Sequence, residues 1–261
     1  MPIAMRRSWS FSEVPRKICI LGNSHVLALK RFWDAKSNGK SDPDVHFFAS
    51  SANSATNTRL ADGWIAPTNE LVSRSWKITS DGHEQVRLDR YAVIILHGYF
   101  PSPSLITQHM NGLSSSRSAY SVAFQVRALM NLNPALVHLT ALLSSAAIKC
   151  PPVIVSQRPS PSVTTEREGF SPSQWSSQAS RLDKLFSSMN LRFLAQPSPT
   201  LDSTGTTRTE FAKNGVALGA EPSRLGSNAT PKDTTHTNER YGQEFFRALG
   251  CLEDSVLWSK N

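Results

Sequence analysis

Three things are scarce in this chain. The first is cysteine: Cys19, Cys150 and Cys251 are the only 3 in 261 residues, and no two have CxxC spacing. An odd, dispersed set of thiols supplies neither a disulfide framework nor a zinc-ligand pattern, and a reduced cysteine in or beside an apolar run behaves as a small hydrophobe. The second is a long hydrophobic run. Nothing approaches the ~18 consecutive apolar residues that span a bilayer. The opening "MPIAMRRSWSFSEVPR" carries arginines without the apolar segment of a secretory leader behind them. The expectation is a cytoplasmic protein with no membrane partner. The third is concentrated charge. With 28 Lys+Arg against 20 Asp+Glu the net charge is +8, yet no basic run exceeds the pairs Arg6-Arg7 and Arg16-Lys17. No aromatic platform is interleaved with them, so nucleic acid is not an expected partner. The histidines His46, His83, His97, His109 and His138 likewise lack H-x-x-x-H or H-x-H spacing, and neither a metal nor another cofactor is expected.

What is present reads as one α/β domain, since a chain of this length can bury a single sizeable core. Five short apolar runs punctuate it: "KICIL" at 17–21, "VHFFA" at 45–49, "YAVIIL" at 91–96, "PPVIVS" at 151–156 and "LRFLA" at 191–195. Runs of this length, rich in β-branched and aromatic residues, suit strands buried on both faces of a parallel sheet. Helical patterns lie between them at 26–35, at 120–147 with an interruption at Pro134, and at 172–189. A last helix over 238–249 stops at Gly250, a favoured residue just past a helix end. Strands alternating with helices predict right-handed crossovers and a three-layer α/β/α sandwich on a parallel sheet of about five strands. The expected layout is an N-terminal extension at 1–16, the domain at 17–250 and a C-terminal tail at 251–261. Residues 59–90 suggest a short helix or an irregular excursion. Residues 197–232, rich in Pro, Ser, Thr and Gly, are too long for an ordinary connector and read as a flexible loop or lid.

In an open parallel sheet the ligand site lies where the strands end. Small, polar and turn-forming residues gather there: Gly22-Asn23-Ser24, then Ser50 to Asn53, Gly98-Tyr99-Phe100, and Gln157-Arg158. Ser24 falls at the first turn of a helix, two residues after a glycine that permits a sharp turn; this presents a nucleophile and equally well an N-cap. His25, next along, is expected to point away from it as a packing or surface residue. In "KDTTHTNERYG", Asp233 stands three residues before His236, so the carboxylate can fold back on the imidazole and fix its tautomer. Otherwise Asp233 and His236 are solvated loop residues, with Thr235 or Thr237 capping the last helix.

Together "ILGNSHV" and "DTTHTNERYG" resemble the first and last blocks of the SGNH, or GDSL-type, hydrolase superfamily, and the likeness runs from Lys17 to Leu249. It implies a flavodoxin-like sandwich and a Ser24, His236, Asp233 triad acting on esters. Two departures stand out. Asn23 replaces the family's aspartate, which is outside the triad. Gly98-Tyr99-Phe100-Pro101 lacks the asparagine that the family places after the third strand for its oxyanion hole. The backbone of Ser24, Ser51 or Ala52 and the side chain of Asn53 are the substitutes for that hole, and Gly98, Tyr99 and Arg158 are the other candidates for lining the crevice. The implied function is a serine esterase that removes a small acyl group, such as acetyl, from a carbohydrate or metabolite. An acyltransferase using a sugar acceptor and a non-catalytic binding protein are the alternatives. "LHGYF" at 96–100 looks like the oxyanion motif of α/β-hydrolases, but there that motif precedes the serine, whereas Ser24 comes first here.

Overall fold

The computed structural model describes residues 17–37, 43–51, 53–103, 105–106, 122–146, 150–162, 172–217, 227–228 and 236–250. In chain order, β1 (Lys17–Gly22) leads into α1 (Val26–Ser37) and β2 (Asp44–Ala49). Then come β3 (Thr58–Ala61), β4 (Trp64–Pro67), α2 (Glu70–Thr79), β5 (Val86–Arg87) and β6 (Val93–Phe100). The helices α3 (Val122–Asn131) and α4 (Pro134–Ser144) precede β7 (Val153–Gln157), and α5 (Pro172–Ser188) precedes β8 (Leu191–Leu194). A short α6 (Thr209–Ala212), the pair β9 (Val216–Ala217) and β10 (Ser227–Asn228), and α7 (Glu239–Ala248) complete the series.

The five apolar runs are the five strands of one parallel sheet, in the order β2-β1-β6-β7-β8. Counting only these strands the order is 2-1-3-4-5, the flavodoxin-like arrangement, whose winding reverses at the first strand. Alternation along β1 sends Ile18 and Ile20 to one face and Cys19 and Leu21 to the other, and all four are buried. On the first face α1 and α7 cover the sheet with Val26, Leu29, Trp33, Tyr241, Phe245 and Phe246. On the second face α2, α3, α4 and α5 bury Trp76, Leu129, Leu136, Trp175 and Phe186. The chain is therefore a three-layer α/β/α sandwich. Among the described residues no helix is long and apolar enough to cross a membrane.

The irregular sequence stretches resolve into local order. Residues 59–90 hold α2 and a small antiparallel sheet, β3-β4-β5. The turn between β3 and β4 uses Asp62 and Gly63, both at positive φ. At Pro134 the pattern over 120–147 divides into two helices, because Asn133 caps α4 by accepting from the amides of Ala135 and Leu136, and proline at N1 has no amide to lose. The described part of 197–232 holds buried threonines with fixed partners. Gln196 Nε2 donates to the hydroxyls of both Thr200 and Thr207 at 3.0 Å, and these threonines are buried. A segment rich in hydroxyls reads as a loop from composition, yet it packs inside when its hydroxyls have fixed acceptors. Residues 218–226 and 229–235 lie outside the described residues.

Candidate active site

At the C-terminal end of β1 the chain turns into α1 against the backbone of β6. Gly22 is required there by space: a Cβ on it would lie 2.5 Å from the carbonyl oxygen of His97 and 2.2 Å from a methyl of Val26. It has no positive φ, so close approach and not turn geometry explains the glycine. Asn23 locks the turn. Its Nδ2 donates to the Gly98 carbonyl at 2.7 Å, and its Oδ1 accepts from the His25 amide at 3.1 Å. Gly98 sits at φ 83°, and a Cβ there would stand 2.3 Å from Asn23 Oδ1. An aspartate at 23 would turn a second oxygen toward the Gly98 carbonyl, which accounts for asparagine at this position. The capping task thus falls to Asn23 and leaves the hydroxyl of Ser24 for other work.

That hydroxyl meets His236. Ser24 Oγ lies 2.8 Å from His236 Nε2, a hydrogen bond closed across 212 residues of chain. Helix packing explains how two such distant residues meet. Ser24 stands two residues before α1 and His236 three residues before α7, and the two helices lie side by side on the same face of the sheet. Gly242 marks their closest approach, since a Cβ on it would stand 2.8 Å from the Ala28 carbonyl and 2.8 Å from the Phe32 Cβ. Phe246 of α7 lies against the rings of Phe32 and Trp33, and Arg31 pairs with Glu239 at 3.7 Å.

The histidine side is held by α6. The Asn238 amide donates to the Phe211 carbonyl, and its Nδ2 donates to the carbonyls of Glu210 and Lys213, both at 2.8 Å. Its Oδ1 caps α7 through the amides of Arg240 and Tyr241. The cap of the last helix is therefore Asn238 and not Thr235 or Thr237; Thr237 is buried, and Thr235 lies outside the described residues. Gly215 lies directly under this loop, where a Cβ would stand 2.4 Å from the His236 carbonyl oxygen.

His25 is buried, as packing would have it, but what it packs on is the site itself. Its ring stacks on that of His236, with centroids 5.3 Å apart and planes at 29°. A contact spanning so much chain has no sequence signal. Of the oxyanion candidates, the backbone amides of Ser24 and Ser51 donate to no acceptor among the described residues. Asn53 is exposed, with no cap bond from its side chain. Ala52 and the proposed triad residue Asp233 lie outside the described residues. Tyr99 is not on an open rim. It is buried in the core of the second face, its phenol pushed well above the usual range by that burial. Arg158 is half-buried just past β7, where its amide donates to the Phe100 carbonyl at 2.9 Å.

No protein-family model matches the chain, and no curated protein does. Solved structures similar to it include a GDSL-like lipase from Bacteroides thetaiotaomicron, at 12% identity and a TM-score of 0.38, covering 90% of this chain and 85% of that one. A lipase from a goat rumen metagenome is similar at 11% identity and a TM-score of 0.33, covering 90% of this chain and 95% of that one. Overlaps of that size carry no functional weight, so the chemistry has to come from this chain's own residues.

Proposed function

We propose that this chain is a serine esterase of the SGNH type. The observation that carries the proposal is the 2.8 Å approach of Ser24 Oγ to His236 Nε2 at the mouth of a parallel sheet. In the proposed cycle Ser24 attacks the ester carbonyl while His236 takes its proton, and the amides of Ser24 and Ser51 donate to the developing oxyanion. The tetrahedral intermediate collapses, the ester C–O bond breaks, and His236 returns the proton to the leaving alcohol. Water, deprotonated by His236, then attacks the acyl-serine and releases the acid. Asp233, three residues before His236, has the role of accepting from Nδ1 and holding the imidazole in the productive tautomer. The substrate class that goes with this reading is a small acyl ester, such as acetyl, of a carbohydrate or metabolite. A sugar hydroxyl in place of water would make the same triad a transferase. One observation favours a non-catalytic binding protein instead: the end of β6 presents Gly98, Tyr99 and Phe100, all buried, with no side-chain amide to complete the oxyanion hole.

A fluorophosphonate probe followed by peptide mapping separates the two. The esterase reading expects the label on Ser24, none on the folded Ser24→Ala protein, and a fall in turnover of about four orders of magnitude or more in that variant. Label on another residue, or an active protein that takes no label, would overturn it.

A further inference from the structure

The charged side chains of the described residues divide by what they face. Among the arginines shielded from solvent, Arg31 pairs with Glu239, Arg87 with Asp89 and Arg192 with Asp183. Arg158 is also shielded, and its guanidinium has neither an anion nor a ring beside it among the described residues. Burial alone pushes its pKa down, with no opposite charge to counter it. A cation held in this way costs folding free energy, which a ligand can return.

Its place in the sheet supplies the ligand's location. Gly22 of β1, His97 of β6 and Ser156 of β7 share one register row. Ser24 stands two residues beyond Gly22, and Arg158 stands two residues beyond Ser156, so both follow the C-terminal ends of their strands. Their strands flank β6, which sets the two backbones about 10 Å apart at the usual strand spacing. The bond from the Arg158 amide to the Phe100 carbonyl continues the ladder past β7, and the loop beyond is clamped. Gln157 Nε2 donates to the Pro101 carbonyl and Gln196 Oε1 accepts from the Ser160 amide. Ser160 also buries a hydroxyl with no partner among the described residues.

Resting on the esterase reading of Ser24, we infer that Arg158 is the anion-binding residue of this crevice and that the substrate is an ester bearing a carboxylate, sulfate or phosphate group. A guanidinium suits such groups because its fork donates two parallel hydrogen bonds to one anion.

The test compares phenyl acetate with two anionic esters: its meta-carboxylate analogue, charged on the alcohol side, and phenyl hemisuccinate, charged on the acyl side. Wild-type protein should favour one anionic ester over phenyl acetate by about tenfold or more in kcat/KM, the scale of one charge-assisted contact. Arg158→Gln should reduce that ratio at least about tenfold, and Arg158→Lys should restore part of it. Because the guanidinium has no structural partner among the described residues, Arg158→Gln should melt no lower than wild type. An unchanged ratio, or a clear drop in Tm marking the side chain as structural, would overturn the assignment. Calorimetric titration of phenyl hemisuccinate and of the meta-carboxylate ester into Ser24→Ala protein keeps the two readings apart. If wild-type protein hydrolyses no ester, the esterase reading fails, while binding of an anionic ester that disappears with Arg158→Gln still supports the subsite. Absence of binding to both overturns it.

Discussion

The two faces of the sheet are built from similar apolar residues and carry different work. On the α2–α5 face Trp76, Trp175, Phe186 and Phe193 fill space, with Phe186 edge-on to Phe100 at 5.3 Å and stacked on Phe193 at 5.4 Å. On the α1/α7 face the packing is a positioning device. Two helices pressed together at Gly242 bring Ser24 and His236 within a hydrogen bond. A packing change on the α2–α5 face should cost stability, whereas on the α1/α7 face it should cost geometry before stability.

The largest effect tests the α2–α5 face. Phe186→Ala removes a fully buried ring and should lower the unfolding free energy by about 3–5 kcal/mol, read from urea midpoints. Its rate per folded molecule should hold; a large loss of kcat in the folded variant would break the division between the faces. Next is Gly242→Ala, whose methyl meets the Ala28 carbonyl and the Phe32 Cβ. Moving α7 by a fraction of a turn's width displaces His236, and kcat/KM should fall roughly 100-fold, because an ångström of misplacement has that scale. Activity within twofold of wild type would show that helix spacing does not set the site. Asn23→Asp comes third. It removes the donor to the Gly98 carbonyl and places an oxygen against it, a cost of about 1–3 kcal/mol that thermal unfolding should register. Wild-type stability would mean that the turn does not need its lock.

The smallest effect concerns pH. His97, on the α1/α7 face, is fully buried with Nδ1 2.7 Å from Ser156 Oγ, and burial drives its pKa down to about 3. An unfolded histidine takes up a proton near pH ~6.5. Between these values the unfolded chain holds one proton more than the folded chain, so His97 favours folding fully above pH ~6.5 and loses that contribution as pH falls towards 3. Its share of the slope should be about 1.4 kcal/mol per pH unit inside that window. Urea midpoints from pH 7 to pH 4 should flatten by that amount in His97→Leu, whatever that variant's stability at neutral pH. An unchanged slope would show that His97 does not titrate in this way.

Much of the fold was legible because short β-branched runs say the same thing locally and globally. "KICIL", "VHFFA" and "YAVIIL" each became a strand of the five-stranded sheet, with boundaries shifted by a few residues where the backbone ladder continued through Leu96 to Phe100 or stopped short of Tyr91. The small sheet of 58–87 was not legible, because strands of two to four residues are too short to display alternation. The burial of the threonines at 200 and 207 was not legible, because composition does not show whether a hydroxyl finds its partner. Within the site, Ser24 and His236 were visible as residues and paired through the family resemblance alone, while the clamp by Asn238 and the stack of His25 on His236 were not visible.

What the sequence determined by itself is local: which segments are buried strands, that a serine follows the first one on a tight turn, and that a histidine follows an aspartate shortly before the last helix. Those features depend on neighbours a few residues apart. Tertiary structure alone decided that Gly22 serves close approach and not turn geometry, that asparagine at 23 ties the β1 turn to Gly98, and how closely Ser24 and His236 of the two chain-distant blocks meet. The physical reason is that a hydrogen bond across 212 residues is set by how two helices pack on a sheet. That packing depends on the space left at Gly242 by residues elsewhere in the chain, which no local pattern encodes.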